Sequence, residues 1–204
     1  KSVAWNPLPW RHNMASALTS TLITGTRQFG MVVDTVACVG CSACVLACRS
    51  ENDVPEGCSR RWVNQVVTGR FPDLKMEIWS ESCQQCADAP CVANCPTGAS
   101  YVDQATGTVQ VDRDQCTGCK ACMASCPYNA RYIHPDGYVD KCTLCNHRLL
   151  RGERTACESV CPTSAIVVGD LNDSQSRASR LLRLRQGKQL RTAAGTQPKF
   201  ALLV

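Results

Sequence analysis

Sixteen of the seventeen cysteines in this 204-residue chain gather into four tight groups, and that clustering constrains the fold more than any hydrophobic pattern. The groups are Cys38/Cys41/Cys44/Cys48, Cys83/Cys86/Cys91/Cys95, Cys116/Cys119/Cys122/Cys126 and Cys142/Cys145/Cys157/Cys161. The first and third share C-x2-C-x2-C-x3-C spacing and similar flanks. "VVDTVACVGCSACVLAC" against "QVDRDQCTGCKACMASC" is an internal repeat offset by 78 residues. The second and fourth are looser in the middle, yet both end in C-x3-C-P-T before a small apolar run, "CPTGASYV" and "CPTSAIVV".

Spacing separates the chemistries that use many cysteines. Structural zinc needs two C-x2-C pairs and would leave the third cysteine of each group unexplained. A disulfide framework does not call for four near-identical quartets, and an odd total leaves one thiol over. Cysteines at i, i+3 and i+6 instead wrap three corners of a small cube, with the fourth corner supplied from elsewhere. This is the iron-sulfur run of bacterial ferredoxins, in which the fourth Cys, followed by Pro, ligates the other cluster of a pair. Pro96, Pro127 and Pro162 each follow a fourth cysteine, where proline ends a short helix. Gly40 and Gly118 lie inside the loops, where the missing Cβ lets backbone amides approach cluster sulfurs.

The fold class expected is α+β: two ferredoxin-like 2[4Fe-4S] modules with short strands, short helices and long loops. "TVQVD" reads as the second strand of a hairpin whose turn holds Gly107, and "SAIVVGD" as a short buried strand. "VLAC" and "MASC" suggest one helical turn apiece, and other secondary structure between the groups looks thin. "DSQSRASRLLRLRQG" predicts a basic helix capped by Asp173 or Ser174 and stopped at Gly187, packed on its own domain or a partner. A hairpin-sized segment separates Cys95 from Cys116, so groups two and three can exchange fourth cysteines, leaving groups one and four as a ferredoxin split by an insertion. Groups three and four are also close enough to pair, and spacing does not choose.

Composition sets further bounds. Three Phe, four Trp and four Tyr make a poor core, so folding is expected to depend on metal. The formal charge of +5 reverses once clusters bind, because four sites at about −2 each add about −8. Surplus Lys and Arg then compensate cluster charge, and no nucleic-acid partner is expected. No apolar run reaches the roughly eighteen residues that a membrane span needs, so membrane contact is expected through a partner. A start at Lys1 is compatible with a removed export signal. Cys58 belongs to no group and reads as a buried structural thiol. His12, His134 and His147 lack paired ligand spacing and read as structural, with His147 close enough to Cys145 to hydrogen-bond a sulfur.

With the quartets in place, the chain resembles the four-cluster ferredoxin-type subunits of the dimethyl sulfoxide reductase class of molybdopterin oxidoreductase complexes. "ENDVPEG", "CQQCADAPCVANCPTGASY", "CMASCPYNARYIHP" and "GTQPKF" look most like the polysulfide, tetrathionate and formate-dependent nitrite reductase subunits. The resemblance runs from about residue 28 to about residue 200 and leaves the first 27 residues unmatched. It implies a nested ligand pattern: Cys38, Cys41, Cys44 and Cys161; Cys142, Cys145, Cys157 and Cys48; Cys83, Cys86, Cys91 and Cys126; and Cys116, Cys119, Cys122 and Cys95. Some relatives replace a third-group cysteine by Trp; here that group is complete, so four [4Fe-4S] clusters are implied. The implied divisions are an N-terminal extension over 1–27, a split module over 28–80 and 131–170, an inserted module over 81–130, and a C-terminal helix and tail over 171–204.

The resemblance further implies a non-catalytic electron wire between an integral membrane quinone-binding subunit and a molybdopterin catalytic subunit, or a multihaem cytochrome. Its expected place is the outer, periplasmic face of the cytoplasmic membrane. A free polyferredoxin that carries electrons by diffusion is the alternative. A stand-alone cluster enzyme would need an open iron site, and every quartet is complete. Arg49, Lys120 and Lys141 sit beside ligand cysteines, where positive charge favours the reduced, more negative cluster. Neutralising Lys120 is accordingly expected to lower the potential of its nearest cluster.

Overall fold

The computed structural model describes residues 27–204; the expected N-terminal extension, His12 included, lies outside the described residues except for Arg27. The strands are β1 (Phe29–Asp34), β2 (Arg61–Thr68), β3 (Lys75–Ser82), β4 (Ser100–Val102), β5 (Val109–Val111), β6 (Arg131–Ile133), β7 (Val139–Lys141), β8 (Ile166–Asp170) and β9 (Phe200–Leu203). The α-helices are α1 (Ala43–Glu51), α2 (Pro90–Ala93), α3 (Ala121–Ala124), α4 (Asn146–Leu149), α5 (Ala156–Ser159) and α6 (Arg177–Arg185). Short helices, short strands and long connections make a mixed α and β fold of the ferredoxin-like kind.

Three strands form a sheet in the order β8-β1-β9, with β8 antiparallel and β9 parallel to β1. Both faces of β1 are covered, which is why "MVV" is apolar without alternation. Met31 and Val33 point into one core with Leu144, Leu149, Ile166, Phe200 and Leu202, while Val32 packs on the other side with Val167, Ala178 and Leu203. The second side is closed by α6, whose Ala178 is fully buried and whose Leu181 and Leu182 lie against the same cluster. The basic helix therefore packs on its own sheet. Its cap is Ser176, two residues beyond the expected Ser174, because the Ser176 hydroxyl accepts the Ser179 amide at 3.1 Å while Asp173 makes a turn with Gln175. Leu184 is 81% exposed, so the leucines do not all share one side.

The remaining strands form three antiparallel hairpins, β2-β3, β4-β5 and β6-β7. The expected hairpin around Gly107 is β4-β5, and "SAIVVGD" supplies β8. Secondary structure between the groups is not thin everywhere. The eight-residue strands β2 and β3 pair from Arg61↔Ser82 to Thr68↔Lys75. Exposure hides them in the sequence, because the distal half lies in solvent and carries no clean alternation of apolar and polar positions. The helical turn expected at "VLAC" extends to nine residues in α1, whereas α3 keeps to four. A second core joins Cys83, Cys86, Cys91, Val109, Cys122, Tyr128, Ala130 and Val139, and so takes in the β6-β7 hairpin.

Candidate iron-sulfur sites

The first and third cysteine loops are built alike. Gly40 and Gly118 have φ of 68° and 65°, and Ser42 and Lys120, which open α1 and α3, have φ of 60° and 65°. Two left-handed residues per loop turn successive cysteines inward. The helix then carries the third cysteine and leads to the fourth: α1 holds Cys44 and Cys48, and Cys126 follows α3. Packing of α1 against α5, and of α2 against α3, brings each such pair of groups together.

Three pockets of nearly one size, each partly open to solvent, result. One, of about 300 Å³, is lined by Cys48, Cys142, Cys145 and Cys157; a second, of about 320 Å³, by Cys38, Cys41, Cys44 and Cys161; a third, also about 320 Å³, by Cys83, Cys86, Cys91 and Cys126. Cys95, Cys116, Cys119 and Cys122 repeat the surroundings of the second cavity. Cys95 and Cys161 each lie 3.7 Å from the hydroxyl of the threonine two residues on, Thr97 and Thr163. Cys41 and Cys119 are both exposed, and Cys44 and Cys122 both buried. Cys48, Cys142, Cys145 and Cys157 are all buried, as are Cys83, Cys86 and Cys91.

These surroundings suit a bulky anionic group. Among the described residues no cluster of His, Cys, Asp and Glu closes on a single ion, whereas a cubane holds its ligands further apart. Backbone amides donate to sulfur from Ser100 to Cys95 at 3.3 Å, Val139 to Cys116 at 3.4 Å and Leu144 to Cys142 at 3.4 Å. Among the described residues, buried polar atoms lacking a partner include Arg131 Nη1 and Gln84 Oε1, and both residues line the third cavity. An unsatisfied buried donor costs about 1–3 kcal/mol, and cluster sulfurs are acceptors of the kind Arg131 lacks. Burial pushes the Cys86 and Cys145 thiols up to about 11 and raises Cys48 as well, so these sulfurs become thiolates at neutral pH only when metal takes the proton's place. Burial also raises Cys95, but the Ser100 amide and the Thr97 hydroxyl outweigh it and bring that thiol down.

Other residues marked in the sequence fall differently. Cys58 is half-buried, with Ile133 O 4.0 Å from its sulfur. His147 meets Glu51 Oε1 at 2.7 Å at the surface and, among the described residues, does not hydrogen-bond a sulfur, because α4 turns it outward. His134 stacks on Tyr138 at 4.5 Å. Arg49 donates to the carbonyls of Val54, Pro55 and Cys58 and so braces the loop after α1. Lys120 is exposed, where water and salt screen its charge. Lys141 is fully buried, and its Nζ donates to the carbonyls of Val109 and Cys142. Sequence reasoning passed over Arg61 and Arg131, both buried beside cysteines. Each opens the strand after a fourth cysteine, in "RRWV" and "ARYI", but at different distances from that cysteine, so the internal repeat does not single them out.

Cysteine cavities on a mixed α and β scaffold define an iron-sulfur protein of the ferredoxin type, and residues 74–171 match the family model of the 4Fe-4S dicluster domain. The chain is similar to the protein NrfC of Escherichia coli, 47% identical over 181 residues that cover 87% of this chain and 81% of the relative. The B subunit of the polysulfide reductase of Wolinella succinogenes is 41% identical over 87% of this chain and 94% of its own length. The thiosulfate reductase electron transfer subunit PhsB of Salmonella typhi is 46% identical over 74% and 80%. The chain belongs to the family of iron-sulfur electron-transfer subunits of molybdopterin oxidoreductase complexes. It relays electrons and is not a catalytic subunit.

Proposed function

We propose that the chain holds four [4Fe-4S] clusters in a row and passes electrons between a membrane quinone-binding subunit and a catalytic subunit. In order, site I takes Cys38, Cys41, Cys44 and Cys161; site II takes Cys48, Cys142, Cys145 and Cys157; site III takes Cys83, Cys86, Cys91 and Cys126; site IV takes Cys95, Cys116, Cys119 and Cys122. The observation that carries this reading is the set of three pockets of similar size, each lined by four cysteines drawn from two groups. Exposure supports the order. Sites I and IV each have one exposed cysteine, Cys41 and Cys119, while sites II and III have none. A wire needs accessible ends and a shielded middle, because electron exchange with partners happens at the ends.

The clusters supply one-electron redox chemistry when bound; the protein sets burial, spacing and hydrogen bonding. Two modules carry the row: sites I and II with the β8-β1-β9 sheet, and sites III and IV in an inserted module that takes the β6-β7 hairpin and so extends to about Lys141. The C-terminal segment completes the first module through β9. The partner at one end is a molybdopterin subunit, as the family implies, and at the other a membrane subunit on the periplasmic face. No helix among the described residues is long and apolar enough to cross a membrane.

The test separates nested from sequential ligand pairing. In the purified complex, Cys48→Ser is expected to perturb the same EPR signal as Cys145→Ser, because both serve site II. A shared signal with Cys41→Ser instead would refute the nesting. Co-purification with a large catalytic chain and a membrane protein is expected; elution of this chain alone from detergent extracts would favour a diffusible polyferredoxin.

A further inference from the structure

Four cations are buried without a carboxylate partner within ion-pair distance among the described residues. Lys199 Nζ turns to Gln28 Oε1 and the Gly107 carbonyl, and the other three reach ligand cysteines or the residues that bond them. Arg61 is 1% exposed, Lys141 0% and Arg131 7%. A buried charge without a counter-charge is strongly disfavoured, so something else must offset each of them. Their positions show what does, taking as given the four-site row proposed above.

Arg61 lines the site II cavity, and its Nη1 donates at 3.1 Å to Ser80 Oγ, which stands 3.2 Å from Cys44 Sγ in site I. Lys141 Nζ bonds the carbonyl of Cys142 in site II at 3.0 Å, and also the carbonyl of Val109, which lines site III. Arg131 Nη2 lies 2.8 Å from Cys91 Sγ in site III and 2.8 Å from Ser100 Oγ, whose own amide donates to Cys95 in site IV. One cation therefore occupies each of the three junctions. The outer two are placed alike, since Arg61 and Arg131 each begin a hairpin strand and each reach a serine. Their cross-strand partners differ: Ser82 faces Arg61, and Lys141 faces Arg131. The same ladder position thus holds a neutral residue in one module and the middle cation in the other.

We propose that Arg61, Lys141 and Arg131 are fixed positive charges, one at each junction of the row, that raise the reduction potentials of the two clusters they face. Reduction adds one electron and takes a site from about −2 to about −3, thiolates included, so a nearby cation favours the reduced form. The same charge lowers repulsion between neighbouring reduced clusters. Burial weighs against charge on all three and holds Lys141 below its ordinary value although the sulfurs of Cys83 and Cys142 oppose it. Around Arg61, by contrast, the sulfurs of Cys157, Cys142, Cys44 and Cys48, which belong to both flanking sites, prevail. Exposed Lys120 has no such reach.

EPR-monitored redox titration of the intact complex carrying Arg131→Gln tests this, with Arg131→Lys as the charge-retaining control. Glutamine removes charge but keeps an amide donor. The expected result is that sites III and IV become harder to reduce by about tenfold, which is about 59 mV for a one-electron couple, while sites I and II hold and Arg131→Lys stays near wild type. Four clusters with unchanged potentials in Arg131→Gln overturns the proposal. If the wild type itself contains well under about sixteen iron atoms per chain, the underlying four-cluster reading fails instead. Should Arg131→Gln lose iron, Arg61→Gln meets the same criterion at sites I and II.

Discussion

Replacing Gly118 by Ala and Gly40 by Ala makes one chemical change at two positions that the repeat renders equivalent, and the structure separates their outcomes. Both glycines have positive φ, so either alanine pays about 1–2 kcal/mol for a left-handed backbone. What surrounds the new methyl differs. At Gly40 it would stand 3.0 Å from Ile78 Cγ2 and 3.5 Å from Gln65 Nε2, side chains on the solvent-flanked β2-β3 hairpin that can shift by a few tenths of an ångström. At Gly118 it would stand 2.2 Å from the carbonyl oxygen of Gly137, and no rotamer relieves that overlap. The turn between β6 and β7 must move, straining the His134–Tyr138 closure and the Val139 amide bond to Cys116 Sγ. Two such bonds at about 0.5–1.5 kcal/mol each bring the total for Gly118→Ala to about 2–5 kcal/mol.

Local opening around the loop exposes iron to chelator, so release rates report the difference. A tenfold rate change corresponds to about 1.4 kcal/mol, giving about tenfold faster release for Gly40→Ala and about a hundredfold or more for Gly118→Ala. Visible absorbance under excess chelator gives the rates, and EPR identifies the cluster lost first: site I for Gly40→Ala, site IV for Gly118→Ala. Equal rates, or faster loss from Gly40→Ala, would refute the steric argument.

Cys58→Ser is expected to leave iron content and all EPR signals unchanged, since that sulfur lines none of the cysteine pockets described and faces the Ile133 carbonyl; loss of one cluster's iron would make it a ligand. Asp34 takes Arg185 Nη2 at 3.2 Å, and although burial raises its carboxyl, Arg185 and the amides of Ala37 and Val36 hold it below the usual carboxylate range. A depressed folded value means that the contribution is complete above about pH 5 and is lost as pH falls through the folded value. Double-mutant coupling between Asp34→Asn and Arg185→Met, read from thermal unfolding, should therefore stay flat from pH 6 to 8 and below about 1 kcal/mol, both groups being partly exposed. A slope across that range would contradict the ionisation assigned here.

By itself, the sequence determined the chemistry. Four quartets with the loop spacing of cubane ligands exclude a plain disulfide or zinc framework, and the repeat between the first and third groups announces two related halves. The hairpin at Gly107 and the strand in "SAIVVGD" were legible because turn residues and β-branched runs act locally. Spacing could not say which groups meet, because that depends on how α1 packs on α5 and α2 on α3. Nor could it rank the charges. Adjacency to a cysteine drew attention to Arg49 and Lys120, yet one braces a loop and the other lies in solvent. Arg61 is thirteen residues beyond Cys48, and Arg131 five beyond Cys126, and strand pairing alone carries them into the interior. Covalent spacing fixes which atoms can bind iron; long-range packing alone decides which sites adjoin and which charges lie between them in low dielectric, where a charge keeps its reach.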